Sequence, residues 1–170
     1  APDVYTTGKE MTQIMDTFSK LNGNVYSPGV ITGKPISMGG SLARNVATGL
    51  GVAYCVREAA KALKLNLKGA KVVLQGFGNA STFTGEYLEK MGSKVIAVSD
   101  SKGSISFPNG AKVSKLIEFK EKTGSVVELP GSKKISTEEL LTTKCDVLGP
   151  GALENQIDAK IAKNLKCKII

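Results

Sequence analysis

The sequence predicts an α/β fold: a doubly wound parallel sheet with helices on both faces, preceded by a short helical N-terminal segment. Three observations carry that expectation. Lys71–Gln75, Val95–Val98 and Asp146–Leu148 are short apolar runs of the length and composition of buried strands. Stretches with helical spacing of apolar residues separate them, so strands alternate with helices. The turns after the runs, at 76–81, 100–102 and 149–151, are glycine-rich or small and polar, and an open α/β sheet takes its ligands at those ends.

In chain order, residues 1–8 read as an extended lead-in. Gly8–Leu21 places Met11, Ile14, Met15 and Phe18 at helical spacing and stops at Asn22-Gly23. Val30-Ile31-Thr32 reads as a short strand or loop. Ser41 is the expected N-cap of a long helix whose apolar stripe is Val52, Val56, Ala59, Ala60 and Leu63. A further helix runs through Phe83, Tyr87, Leu88 and Met91 to Gly92. Beyond Asp100 come a β excursion at Ser104–Phe107, a turn at Pro108-Asn109-Gly110 and a helix carrying Val113, Leu116, Ile117 and Phe119. Thr137 is the expected N-cap of Glu138–Leu141. A last helix spans about Asn155–Leu165, and Lys168–Ile170 begins another strand. The domain reading is a lead-in at 1–40 and a sheet domain at 41–170.

Composition excludes several functions. At 170 residues the chain holds one domain, or one with a short appendage. No stretch nears the ~18 unbroken apolar residues of a membrane span, and Ala1-Pro2-Asp3-Val4 does not begin a secretory signal. Cys55, Cys145 and Cys167 lack C-x-x-C spacing and read as reduced, buried thiols of a cytoplasmic protein. With no histidine, acid–base chemistry must use Asp, Glu, Lys or Tyr, and no metal cluster is visible. The net charge of +8 is spread along the chain, so a solvated lysine-rich surface is favoured over a nucleic-acid groove.

The chemistry concentrates in Lys71–Asp100, a strand–helix–strand unit with Gly76-Phe77-Gly78-Asn79-Ala80-Ser81 at its first crossover. Gly76 permits the tight turn, and Gly78, lacking Cβ, lets a pyrophosphate approach the backbone. The amides opening the next helix favour an anion. Asp100 follows at the spacing at which a carboxylate accepts from a ribose 2′-hydroxyl. That is a Rossmann-like dinucleotide pattern. Ser81 departs from it, since the third small position takes Gly or Ala, and the expected result is looser packing. The acid favours NAD by repelling a 2′-phosphate. Ser101 and Lys102 beside it can hold that phosphate, so NADP stays open. Gly85 and Gly124 read as packing or turn glycines.

Beyond that unit, Ala1-Pro2-Asp3-Val4, Thr32-Gly33-Lys34-Pro35, Gly39-Gly40-Ser41-x-x-Arg44-x-x-Ala47-Thr48-Gly49-x-Gly51-Val52, Gln75-Gly76-Phe77-Gly78-Asn79 and Pro150-x-Ala152-Leu153-Glu154-Asn155-Gln156 together resemble glutamate dehydrogenases along essentially the whole chain. The resemblance implies that Asp3 matches the catalytic aspartate, which shuttles a proton as 2-oxoglutarate, ammonium and glutamate interconvert. It implies that Arg44 matches a residue near the substrate, counted here with the cofactor-binding set. Thr48 matches the threonine that bonds the nicotinamide carboxamide. Gly76, Phe77, Gly78, Asn79 and Ala80 match the pyrophosphate turn, Asp100 the ribose acid, and Gly151 and Ala152 the wall beside the riboses, where the family usually has alanine for Gly151.

The resemblance also implies an omission. Family members are more than twice this length, and their substrate domain, with its catalytic lysines, precedes the aspartate. The expectation is therefore an NAD(P)-binding domain with little or no dehydrogenase activity alone, since hydride transfer needs both partners held in contact away from water. A separate chain carrying the substrate domain would make it one subunit of a split enzyme. An exposed last strand and uncovered helix faces leave room for self-association. The alternative is a non-catalytic nucleotide-binding or regulatory module, for which Ser81 and Gly151 are mild support.

Overall fold

The computed structural model describes residues 1–170. Helix α1 (Gly8–Leu21) starts where the sequence supplies a reciprocal cap: Thr7 accepts from the Lys9 amide while Glu10 takes the Thr7 N–H at 2.6 Å. Its buried face is Met11 and Met15, whereas Ile14 and Phe18 remain 45% exposed. Val30-Ile31-Thr32 forms no strand. Pro28 instead opens a 3₁₀ turn, Pro28–Val30, and a second covers Ile36–Met38. The Lys34 side chain is buried, its Nζ donating to the carbonyls of Pro28 and Ile31. These elements belong to a unit comprising Ala1–Ala47; Thr48–Ile170 form the second.

The second unit is built on five strands, β1 (Lys71–Gln75), β2 (Lys94–Asp100), β3 (Gly103–Ala111), β4 (Lys133–Ile135) and β5 (Val147–Pro150), in the order β4-β3-β2-β1-β5. The sheet is mixed. β2, β1 and β5 run parallel, while β3 and β4 are antiparallel additions at one edge. Pro108-Asn109-Gly110 does not end β3. Ala97 pairs with Ser106 and Val95 with Ala111, so the turn-forming residues are absorbed as a bulge. Beside β5, Ile169 makes one parallel bridge to Val147, the beginning of the last strand expected there.

The remaining helices are α2 (Arg44–Ala62), α3 (Asn79–Lys90), α4 (Val113–Thr123), α5 (Thr137–Leu141) and α6 (Ala159–Lys163). Side chains alternate across the sheet. Val72 and Leu74 of β1 join a cluster with α2, α3 and α4, while Val73 joins one with α5 and α6. Helices therefore cover both faces. Expectations for three helices are corrected. α2 begins at Arg44, not next to Ser41, and buries Gly49, Ala53, Val56 and Ala60, leaving Val52 and Leu63 exposed. That rotation also exposes Cys55. α5 is capped by Ser136, one residue before Thr137, and α6 starts only after Asp158, whose carboxylate caps the Ile161 amide, so 151–158 is irregular. No helix is long and apolar enough to cross a membrane.

Candidate functional site

The carboxyl ends of β1, β2 and β5 converge on the glycine turn. Gly76 has φ +78°, and a Cβ there would lie 2.7 Å from the Gly151 carbonyl oxygen and 2.9 Å from Ala152 Cα. Both backbone conformation and the neighbouring wall therefore require glycine. The turn is tied to β2 through Ser99: the Gly76 N–H donates to Ser99 Oγ at 3.1 Å and the Phe77 N–H to Ser99 O at 2.6 Å. Phe77 belongs to the turn through its backbone alone, since its side chain is 1% exposed in the larger core cluster.

Gly78 is different. Its φ and ψ, −95° and −166°, are open to any residue, and a Cβ would meet only Gly76 O, at 4.0 Å. Nothing in the fold requires glycine at 78. α3 starts immediately after it, with no side-chain cap and no acid in its first turn. Its first helical bond is Thr82 N–H to Gly78 O at 2.9 Å, so the Ala80 and Ser81 amides have no helical acceptor. α1 and α5, by contrast, close their N-termini with capping boxes.

α2 crosses α3 at Gly49, where a Cβ would lie 2.5 Å from Phe83 Cβ and 2.6 Å from Ala80 O. Thr84 Oγ1 donates to Gly49 O at 3.3 Å. The crossing holds Thr48, next in the chain and exposed, at the N-terminal end of α3. Asp3 and Arg44 lie in the first unit. Asp3 is exposed in a turn closed by the Thr6 N–H on its carbonyl, and Arg44 is half-buried at the start of α2.

Asp100 ends β2 and is already engaged. Its Oδ2 accepts from the Val126 amide at 2.7 Å and the Ser125 hydroxyl at 2.8 Å, and its Oδ1 from the Lys102 amide at 2.9 Å. Burial raises its pKa, but the two amides, the hydroxyl and the nearby Lys120 ammonium outweigh that, and the net position is below the ordinary carboxylate range. A carboxylate offers about four lone-pair sites, so room is left for one further donor. Ser101 and Lys102 are exposed beside it. Gly124 ends α4 in the left-handed conformation, and Gly85 packs against Leu74 and Val113, both as expected.

Two residues to which the sequence assigned no role join the site. Lys120, in the last turn of α4, donates from Nζ to the Phe77 carbonyl and so places a cation against the glycine turn. Gln75, 2% exposed at the end of β1, donates from Nε2 to Gln156 Oε1 at 3.1 Å, while its own Oε1 is buried with no partner. A buried, unpaired acceptor at a ligand-binding end of the sheet is unusual enough to mark a place where a donor is wanted.

Ser81 and Gly151 prove to be one feature. A Cβ on Gly151 would lie 2.3 Å from Ser81 Oγ, so the serine hydroxyl occupies the volume a residue-151 methyl would need. The packing is therefore not loosened, as the sequence suggested; Ser81 is buried. We expect Gly151→Ala alone to cost about 1–2 kcal/mol by overpacking, and Ser81→Ala with Gly151→Ala to restore stability to within about 0.5 kcal/mol. Urea denaturation of the two singles and the double reads the coupling; strictly additive losses would refute it. Both residues also border a mainly apolar groove of about 400 Å³ whose lining includes Val52, Val56, Leu74 and Ile169.

These features define the class. The profile of the Glutamate/Leucine/Phenylalanine/Valine dehydrogenase family matches residues 39–170, and the chain belongs to that family. It is 41% identical over its whole length to the cryptic catabolic NAD-specific glutamate dehydrogenase of Bacillus subtilis and 44% identical to the NADP-specific glutamate dehydrogenase of Saccharolobus shibatae. Among solved structures it resembles the hetero-hexameric glutamate dehydrogenase of Thermus thermophilus, with a TM-score of 0.90 at 34% identity over 99% of this chain and 40% of that one. The glutamate dehydrogenase of Plasmodium falciparum gives 0.84 at 31% identity, over 96% and 36% of the two chains. The chain spans about two fifths of the length of the curated relatives it matches, 39% of one and 40% of the other.

Proposed function

We propose that this chain is the NAD(P)-binding part of a glutamate dehydrogenase, the complete enzyme deaminating glutamate oxidatively to 2-oxoglutarate and ammonium. The observation that carries the reading is Gly78, a glycine that neither its backbone angles nor its surroundings require. A pyrophosphate approaching that backbone gives the missing side chain a purpose, and the uncapped start of α3 receives the charge. Gly76, Phe77 (through its backbone), Gly78, Asn79 and Ala80 would hold the pyrophosphate, Asp100 an adenosine ribose hydroxyl, Thr48 the carboxamide, and Gly151 with Ala152 the flanking wall. The unpaired Gln75 oxygen awaits a donor on the same side. When bound, the nicotinamide supplies hydride acceptance and release.

Both cofactors stay within reach. Asp100 disfavours a 2′-phosphate, but Lys120 and Lys102 set positive charge beside it. The relatives include NAD-specific and NADP-specific enzymes. Asp3 remains the proposed catalytic acid–base group by resemblance, in need of the lysines of a substrate domain. Alone, the chain turns over little or nothing. A substrate domain from further polypeptide, or from a separate chain as in a split enzyme, together with self-association, is supported by the apolar surface of the first unit: Tyr5 is 100%, Leu21 85% and Leu42 83% exposed. A cytoplasmic setting accords with the free thiols. The alternative of a degenerate, non-catalytic nucleotide module loses ground, because its support, Ser81 and Gly151, is a complementary pair.

Calorimetric titration with NAD and NADP in low and moderate salt tests the reading. The wild-type chain is expected to bind at least one of them saturably in both salts. Gly78→Ala is expected to bind at least about tenfold more weakly, about 1.4 kcal/mol, with an unchanged melting temperature. Absence of binding by the wild type, or equal affinities in the two proteins, would remove the basis of the proposal.

A further inference from the structure

Cys145 and Cys167 are distant in sequence and adjacent in the fold. The Cys145 N–H donates to Lys166 O at 3.3 Å and the Lys168 N–H to Asp146 O at 3.1 Å, bonds that flank the two cysteines. Val147 and Ile169 are parallel Cα partners at the same offset. Asp146 and Lys168, again at that offset, point together to one side and pair at 2.9 Å. The cysteines turn to the other side, into the apolar cluster of Val73, Leu140, Leu141 and Leu148. Neither cysteine lies in a strand, but the backbone bonds on either side of them hold the two segments as a ladder does, at about 4.8 Å, inside the Cα separation range of disulfides, about 4.4–6.8 Å. Both thiols are free, Cys145 buried and Cys167 half-buried.

We propose that Cys145 and Cys167 are a redox pair that closes to an intramolecular disulfide on reaction with a low-molecular-weight disulfide such as oxidised glutathione. Cys167, the more accessible, gives its proton to water and its thiolate attacks one glutathione sulfur, releasing the other glutathione as thiol once protonated. Cys145 then loses its proton, attacks the Cys167 sulfur of the mixed disulfide and releases the second glutathione. Two cysteine thiols are oxidised and one glutathione disulfide is reduced to two thiols. Burial first, then the neighbouring Cys167 and Asp146, push the Cys145 thiol up to about 12, and burial raises Cys167 as well. The pair accordingly rests protonated and closes faster as pH rises. The bond links the two sides of the loop that carries Gly149–Gly151 and α6.

The test uses the whole chain as it is. After incubation with oxidised glutathione in mildly alkaline buffer and acid quenching, peptide mapping by mass spectrometry without reduction is expected to recover a peptide joining Cys145 to Cys167, with Cys55 free or glutathionylated. In Cys55→Ser, the intact mass should fall by about 2 Da and both remaining thiols should be lost. Adding dithiothreitol should restore both. Recovery of Cys145 or Cys167 as stable glutathione adducts, as unreacted thiols, or joined to Cys55 overturns the assignment. Cys167→Ser supplies the control: the mass loss of about 2 Da disappears.

Discussion

Replacing Phe77 by alanine is expected to lower the stability of the second unit by about 3–5 kcal/mol, the range for removing a large buried aromatic side chain. Its sequence position, between the two glycines of the turn, suggests a residue devoted to a ligand. Its side chain is instead 1% exposed among Leu88, Val98, Ile105 and Leu116 in the larger core cluster. Its amide bonds Ser99 and its carbonyl receives Lys120, so backbone and side chain pull the turn in the same direction. Chemical denaturation followed by circular dichroism measures the loss. A change below about 1 kcal/mol would mean that the core collapses around the gap and that Phe77 is not the anchor of the turn. Any fall in cofactor affinity of this variant reports on the fold and not on a contact.

Gly76→Ala is expected to cost about 3 kcal/mol, from two additive causes. A side chain at φ +78° pays roughly 1–2 kcal/mol for the left-handed conformation. The new methyl also strikes Gly151 O and Ala152 Cα, backbone atoms that cannot rotate away, which adds roughly 1–3 kcal/mol. The comparison with Gly78→Ala is the informative part. Two alanines placed two residues apart should separate, Gly76→Ala losing stability and binding together, Gly78→Ala losing binding alone. Thermal melts of both variants, with and without cofactor, make the distinction. Equal melting temperatures for Gly76→Ala and the wild type would show that the wall at 151–152 yields freely.

What the sequence made legible is local. The helical spacing of Met11, Ile14, Met15 and Phe18 marks α1, which spans Gly8–Leu21 as expected. The strand–turn–helix–strand of β1, α3 and β2 follows from β-branched runs and glycine spacing. Periodicity misled at α2, because its crossing with α3 selects small residues: Gly49 and Ala53 face inward while larger Val52 and Leu63 stay outside. The Pro108-Asn109-Gly110 signal was chemically sound but was spent on a bulge, since β2 continues to pair beyond it. β4, short and carrying Lys133 and Lys134, has no hydrophobic run to announce it. At the site, Gly76, Gly78 and Asp100 could be read from spacing. Ser99 on the turn, Lys120 on Phe77 and Ser125 on Asp100 could not, because each contact joins residues more than twenty positions apart. The fit of Ser81 to Gly151 is invisible for the same reason, and in sequence it looks like decay.

The two faces of the sheet are filled unequally, with sixteen buried residues in the cluster under α2, α3 and α4 and six in the one under α5 and α6. The glycine turn is rooted in the larger through Phe77, while the wall opposite it, 151–158, leads into α6 over the smaller. Amides of α6 and the 151–158 segment should therefore exchange through sub-global openings that leave β1, α3 and β2 closed. A ligand seated between turn and wall would rest on a rigid jaw and a looser one, and its binding energy would be drawn on to quiet the second.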